Sequence, residues 1–367
     1  MTPATFPPRP AAPHAAPVKR LGFFTRVLDE APAGERYRLA AEQLAHAEAF
    51  GFDSAWVAQH HFHEHEGGLP SPFVLLAHVA ARTRRIRLGT GVITLPMENA
   101  VRVAEDAAVL DLLSGGRLEV GVGTGGTSES FAAFGLDYGD RHAVLARHLA
   151  VLREAWAGRP LAGGDRLYPA APQLTQRLWQ ATFSEAGGTR AGAAGDGLML
   201  SRTQPRPPEA PHAALAALQQ PIVEAYLAAL APGVAPRIMG SRSLFVADDR
   251  AEALRLADTG LRRMAARHVQ SGRLDIDPQA PLATLIAAYD VHVGTPDEVI
   301  ASLRADPVLE RVTDLVFQVH SVDPPHPFIL RSIELTATQV APALGWVRPA
   351  EARASVPSHP EPSVQTA

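Results

Sequence analysis

The segment Gln59-His60-His61-Phe62-His63-Glu64-His65-Glu66 places four imidazoles within six positions. Imidazole changes charge near neutral pH and is the usual side chain for moving a proton in catalysis. His60 and His61 come just after the apolar run Ser54-Ala55-Trp56-Val57. A pair at the end of such a run, beside Trp56 and Phe62, is expected to be buried and to act as acid or base. His63 and His65 read as part of a solvated polar loop.

Two further segments could hold a ligand. Gly121-Val122-Gly123-Thr124-Gly125-Gly126 follows another apolar run. It formally contains G-x-G-x-x-G, but a dinucleotide fold requires an immediate helix, a second strand and an acidic residue about 20 positions on. The chain instead runs irregularly from Ser128 to Asp140, so no nicotinamide fingerprint is present. Glycines here let a flat ligand approach the main chain. Ser184-Glu185-Ala186-Gly187-Gly188-Thr189 opens a helix. Ser184 is a suitable N-cap, and backbone N–H groups at a helix start bind phosphate. Gly89-Thr90-Gly91-Val92 is unremarkable alone. His63-x-His65 is similar to the pair that opens the metal site of barrel-type metal-dependent hydrolases, but such a site needs more ligands at later strand ends. Those ends offer Gly, Ser, Thr and His320, and no metal ligands are assigned.

The elements that must position these residues alternate. Apolar runs at 19–24, 54–57, 86–92, 118–122, 178–183, 197–200, 242–247 and 315–319 read as eight strands, with helical patterns between them. That rhythm implies a parallel sheet with crossover helices, either closed as a barrel or open. Stretches at 201–211 and about 269–282 are long for plain connections and read as insertion loops of the kind that form lids. Residues 1–17 and 349–367, rich in proline, read as disordered tails around one domain at 18–348. The 367 residues carry a net charge of −4 and no cysteine. This excludes thiolate and iron–sulfur chemistry and gives no basic footprint for nucleic acid. No apolar run is long enough to span a membrane, and the N-terminus lacks the pattern of a secretory signal. A cytoplasmic enzyme is expected.

Five separated motifs in order resemble the bacterial-luciferase-like family of flavin-dependent monooxygenases. They are 56–62 with its His-His-Phe, 86–96, 101–117 with Ser114-Gly115-Gly116-Arg117, Gly195-Asp196-Gly197, and Val293-Gly294-Thr295-Pro296-Asp297-Glu298-Val299. The resemblance runs from about Lys19 to Leu344 and implies a luciferase-like (β/α)8 TIM barrel. It implies reduced FMN (FMNH2) as cofactor, with F420 in some branches, and O2 and a small organic molecule as substrates. It places His60, with His61 beside it, next to the flavin as acid or base. A cis peptide at Gly91–Val92, after Thr90, would lie under the flavin ring. Gly123, Thr124 and Gly125 would pass the flavin tail. Ser184, Gly187 and Gly188 would bind its phosphate, with Arg141 adding charge. A separate NAD(P)H-flavin reductase and a homodimer are implied partners. Gln59 stands where light-emitting members have Glu, Gly123 where they have Cys, and Thr124 where they have a phosphate-clamping Arg. These departures count against light emission and a long-chain aldehyde. The alternatives are F420-dependent hydride transfer on the same barrel, a non-catalytic flavin-binding protein, and a metal-dependent hydrolase.

Overall fold

Short apolar runs bounded by glycine and polar residues suit strands buried on both faces, as in a parallel sheet covered by helices. In the computed structural model, which describes residues 19–210, 213–270, 272 and 276–346, the eight runs form strands of this kind. The tails expected at 1–17 and 349–367 lie outside the described residues. The strands are β1 (Arg20–Thr25), β2 (Ser54–Val57), β3 (Arg87–Thr90), β4 (Ile93–Thr94), β5 (Leu118–Gly123), β6 (Leu178–Thr182), β7 (Gly197–Leu200), β8 (Ile238–Val246), β9 (Val291–Gly294) and β10 (Asp314–Gln318). Parallel pairing runs β1–β2–β3–β5–β6–β7–β8–β10 and returns to β1, closing an eight-stranded barrel. Gly22 on β1 lies between Ser54 of β2 and Val316 of β10.

The main helices are α1 (Ala33–Ala49), α2 (Pro72–Ala80), α3 (Ala100–Leu113), α4 (Ser128–Ala133), α5 (Arg141–Trp156), α6 (Glu185–Ala193), α7 (Leu215–Ala229), α8 (Arg250–Gln270), α9 (Leu282–Ala288), α10 (Pro296–Arg304) and α11 (His326–Leu335). Their ends follow local chemistry. Asn99 Oδ1 accepts from the N–H groups of Val101 and Arg102 at 3.0 and 3.2 Å and starts α3. Gly115 and Gly116, at φ +68° and +81°, end it. Thr295 and Glu298 form a capping box on α10, with Pro296 in its first turn. Among the described residues no helix is long and apolar enough to cross a membrane.

Three details differ from the sequence expectation. The run 86–92 is not one strand: β3 ends at Thr90, the Gly91–Val92 peptide is cis, and β4 resumes against β5. β8 starts at Ile238, ahead of its apolar run, because Ile238, Met239 and Gly240 pair with β7, and Met239 and Gly240 also pair with β10. β9 is an extra strand beside the upper half of β8, with Ser243 opposite Val291.

The main core lies between strands and helices, with Leu44, Leu76, Ala104, Leu152 and Trp156 fully buried there. Each such large apolar side chain contributes roughly 1.5–3 kcal/mol. A separate cluster fills the barrel itself: Trp56, Trp179, Met199, Met239 and Val316. The two indoles meet edge to face, with ring centroids 5.9 Å apart. Trp56 Nε1 donates to Ser54 Oγ and Trp179 Nε1 to Glu119 Oε2, both at 2.8 Å. Gly89 and Gly197 make room for these rings: a Cβ at either would stand 2.1 Å from a tryptophan carbon.

Two of the motifs that carry the family resemblance are structural ties. Arg117 donates to the carbonyls of Ser114, Ile86, Ala80 and Thr83 and to the Thr83 hydroxyl. Asp196 is buried, and it accepts from Gln180 Nε2 at 2.7 Å and pairs with Arg153.

Candidate active site

In barrels of this kind the loops after the strands form the working face. His60 stands in the loop after β2, half-buried, with its backbone N–H donating to Leu69 O at 3.0 Å. Its Nε2 lies 3.2 Å from Nη2 of Arg26, which follows β1. A guanidinium can only donate, so Nε2 accepts, and the ring is neutral with its proton on Nδ1. Nδ1 points towards the buried carboxylate of Glu66, 3.9 Å from Oε2. Thr127, just before α4, donates to the same Glu66 oxygen at 2.8 Å. Arg26 also donates to the Glu66 carbonyl. One loop, two strand ends and a helix start therefore fix a single imidazole.

His61 sits differently. Its ring packs on Phe134, centroids 4.8 Å apart, and its buried Nε2 has no hydrogen-bond partner. Desolvation lowers its pKa and favours the neutral ring. Phe62 does not bury the pair as expected: it is 69% exposed at φ +65° and forms a rim with Phe134. His63 and His65 have ring centroids 5.8 Å apart in the outer loop. Among the described residues, no three His, Asp or Glu side chains converge as a metal-binding group.

The floor is apolar: Phe24, Val92 and Ala181 pack on the barrel-filling cluster beside Met199. Gly91 lies against the Phe24 ring. Thr90 is fully buried, and its hydroxyl donates to Gly121 O and accepts from Gly121 N at 2.8 and 2.9 Å. That side chain ties β3 to β5. Gly123 faces Val92 and Ala181 at the edge of this floor. Thr124 follows, half-buried, and Gly125 turns the chain at φ +80°. Gln59, whose type departs from the light-emitting pattern, locks the floor: Oε1 accepts from Thr94 N at 2.7 Å, and Nε2 donates to Glu98 Oε1 at 2.6 Å.

At the end of β6, Ser184 Oγ accepts from Gly187 N at 3.2 Å and caps α6. Exposed Glu185 and Ala186 form the start of that helix. Gly187 and Gly188 are buried and face inward: Gly187 abuts Thr182, and a Cβ on Gly188 would stand 2.6 Å from Ile222 O of α7. Their structural role is close packing. Arg141, at the start of α5, stacks 3.9 Å from the Tyr138 ring and donates to Tyr138 O. Desolvation lowers the pKa of His142, as do the like charges of Arg141 and Arg190. Arg190, on α6, donates to Gln180 Oε1 at 2.8 Å. His142 and Arg190 are additions to the sequence-derived set.

Opposite, after β10, the His320–Ser321 peptide is cis. His320 is buried, and desolvation drives its pKa down to about 3, against the pull of Asp323. The neutral ring donates from Nδ1 to Asp323 Oδ2 at 2.6 Å. Arg202, after β7, reaches Ser321 Oγ at 3.4 Å. Arg26, Glu66, Arg202 and Asp323 were missed in the sequence because each acquires its meaning from a partner on another strand's loop.

A family model described as luciferase-like monooxygenase matches residues 20–311. The 4-hydroxyprotoasukamycin monooxygenase of Streptomyces nodosus subsp. asukaensis is 40% identical over 109 residues, 30% of this chain and 29% of that protein. That alignment spans less than a third of the relative's length. Among solved structures, monooxygenase RslO1 from Streptomyces bottropensis has a TM-score of 0.71 at 25% identity, covering 89% of this chain and 99% of that one. The oxygenating constituent of 3,6-diketocamphane monooxygenase from Pseudomonas putida, solved with FMN, has a TM-score of 0.69 at 19% identity, covering 89% and 98%. At that identity the likeness speaks to the barrel alone.

Proposed function

The chain belongs to the luciferase-like monooxygenase family, and on that premise we propose that it uses reduced FMN and O2 to oxygenate a small organic substrate at the C-terminal mouth of its barrel. The supporting observation is the division of the mouth into two surfaces that suit the two halves of FMN. Phe24, Val92 and Ala181 offer an apolar bed for a ring system. The capped start of α6, with Arg141, His142 and Arg190 nearby, offers a basic setting for a phosphate. Gly123, Thr124 and Gly125 line the way between them. Bound reduced FMN would supply the electrons that activate oxygen.

The chain's own residues do the rest. His60, held neutral by Arg26 and aligned by Glu66, takes up or returns a proton at Nε2 when Arg26 moves aside. His61, neutral and packed on Phe134, covers the opening and restricts water. Since the sequence holds no nicotinamide fingerprint, a separate NAD(P)H-flavin reductase supplies FMNH2. A homodimer forms through α2 and α3, where Val74, Val109, Leu112 and Leu113 are 72%, 46%, 60% and 68% exposed. The cytoplasmic location belongs to the same proposal.

The test is an anaerobic titration of the full chain with reduced FMN and with reduced F420, followed by mixing with O2. Reduced FMN is expected to bind and to release hydrogen peroxide more slowly than free flavin. His60→Ala is expected to retain flavin affinity and lose oxygenation. Binding of F420 alone would move the chemistry to hydride transfer. Binding of neither would end the flavin reading. Unchanged oxygen chemistry in His60→Ala would remove His60 from the mechanism, and a wild type that binds flavin without changing its reaction with O2 would be a non-catalytic flavin binder.

A further inference from the structure

Three deeply buried arginines invite comparison. Arg242 is fully buried and satisfied by Asp306, Gln219 and its neighbour's carbonyl, at 2.6, 3.0 and 2.8 Å. Arg117 is 9% exposed and makes five hydrogen bonds to carbonyl and hydroxyl oxygens. Arg202 is 4% exposed, yet among the described residues its side chain makes one long hydrogen bond, to Ser321 Oγ at 3.4 Å, and no ion pair. A guanidinium has five N–H donors, and a buried charge without acceptors costs stability unless something else meets it.

Among the described residues no carboxylate forms an ion pair with Arg202. The acids whose fields reach Arg202 are Asp323 and Asp290. Asp323 is held by His320 at 2.6 Å and Asp290 by Arg206 at 2.5 Å. The other charge that bears on Arg202 is Arg26, of like sign. Burial first, and then Arg26, push the Arg202 pKa down to about 9, which still leaves it charged at neutral pH. Arg26, Gln318, His320 and Asp323 line a cleft that opens between β1 and β10, with Phe24 at its base. Arg202 adjoins that lining through Ser321, the chain neighbour of His320.

We propose that Arg202 receives the anionic end of the substrate, a carboxylate carried on an apolar organic body. The planar fork of a guanidinium matches a carboxylate through two parallel hydrogen bonds. The apolar bed that includes Phe24 suits the remainder of such a molecule. The inference rests on the mouth being the substrate site, as proposed above, and it adds the substrate's charge.

The experiment uses benzoate as the probe and benzyl alcohol as its neutral counterpart, titrated into the full chain by calorimetry and by thermal shift. Wild type is expected to bind benzoate and not benzyl alcohol. Arg202→Met is expected to bind benzoate at least tenfold more weakly, and Arg202→Lys to fall between. Arg202→Met is also expected to melt no lower than wild type, because it removes an under-partnered buried charge. Reduced FMN should bind all three proteins alike. Equal benzoate binding by wild type and Arg202→Met, no benzoate binding by wild type, or a lowered melting temperature in Arg202→Met would each overturn the proposal. If Arg202→Met does not fold, Arg202 is a structural residue and the proposal fails. Benzoate binding without FMN binding would sink the flavin reading and keep this one; FMN binding without benzoate binding would do the reverse.

Discussion

Alanine at position 188 separates two roles for one glycine. The family resemblance makes Gly188 part of a phosphate turn, whereas its geometry makes it a contact between α6 and α7. A Cβ there would stand 2.6 Å from Ile222 O and 3.2 Å from Ile222 Cγ2. Ordinary contact is at about 3.5 Å, so α6 must retreat by roughly 0.8–0.9 Å. Overpacking of this kind costs about 1–3 kcal/mol, and the obstacle is a backbone oxygen that cannot rotate away, which favours the upper part of that range. Alanine regains about 1 kcal/mol of helix propensity. The net loss is about 1–2 kcal/mol, or a fall in Tm of about 1.5–3 °C for a barrel of this size, whose unfolding entropy is about 0.7 kcal/mol per kelvin. Because the retreating helix carries the Ser184 cap, reduced FMN should bind about tenfold more weakly, the worth of one charge-assisted hydrogen bond. Reduced riboflavin, which has no phosphate, should bind as before. The assay is thermal denaturation with parallel titrations of the two flavins. A Tm equal to or above wild type would refute the packing argument, since propensity would then have outweighed the clash.

Leu112→Glu with Leu113→Glu puts two charges on the exposed face of α3 and should convert the proposed dimer to monomer in sedimentation velocity; a monomeric wild type would remove the premise. Buried His320 has a folded pKa of about 3, below its unfolded value, so the unfolded chain takes the proton first. Its contribution to stability is therefore full above about pH 6.5 and declines as the pH falls towards 3, by up to about 1.4 kcal/mol per pH unit. His320→Asn, which keeps a donor for Asp323, should flatten the fall in Tm over that interval, and an unchanged slope would count against it.

The eight barrel strands were legible because each is a short apolar run closed off by glycine or polar residues. The break within 86–92 was not legible from the residues alone: Gly91 and Val92 are ordinary strand residues, and only the family resemblance pointed to the bond between them. β9 was illegible because Val291-His292-Val293-Gly294 buries only its two ends fully, and it lies outside the barrel. His60 stood out from its neighbours as a titratable group at a strand end. Its state did not, because that depends on Arg26, 34 positions earlier, and on Glu66. Likewise, Gly187 and Gly188 suggest a ligand turn in sequence, but the Ile222 carbonyl of α7 explains Gly188 in space.

Trp56 and Trp179, each 1% exposed, close the barrel from within. A vessel stoppered at one end has a single doorway. In the proposed reaction flavin and substrate would both enter from that side, and whichever lies deeper would arrive first and depart last. On that reading the two indoles, remote from any bond that changes, would impose an order of events on each turnover, and steady-state inhibition patterns should be those of a compulsory sequence.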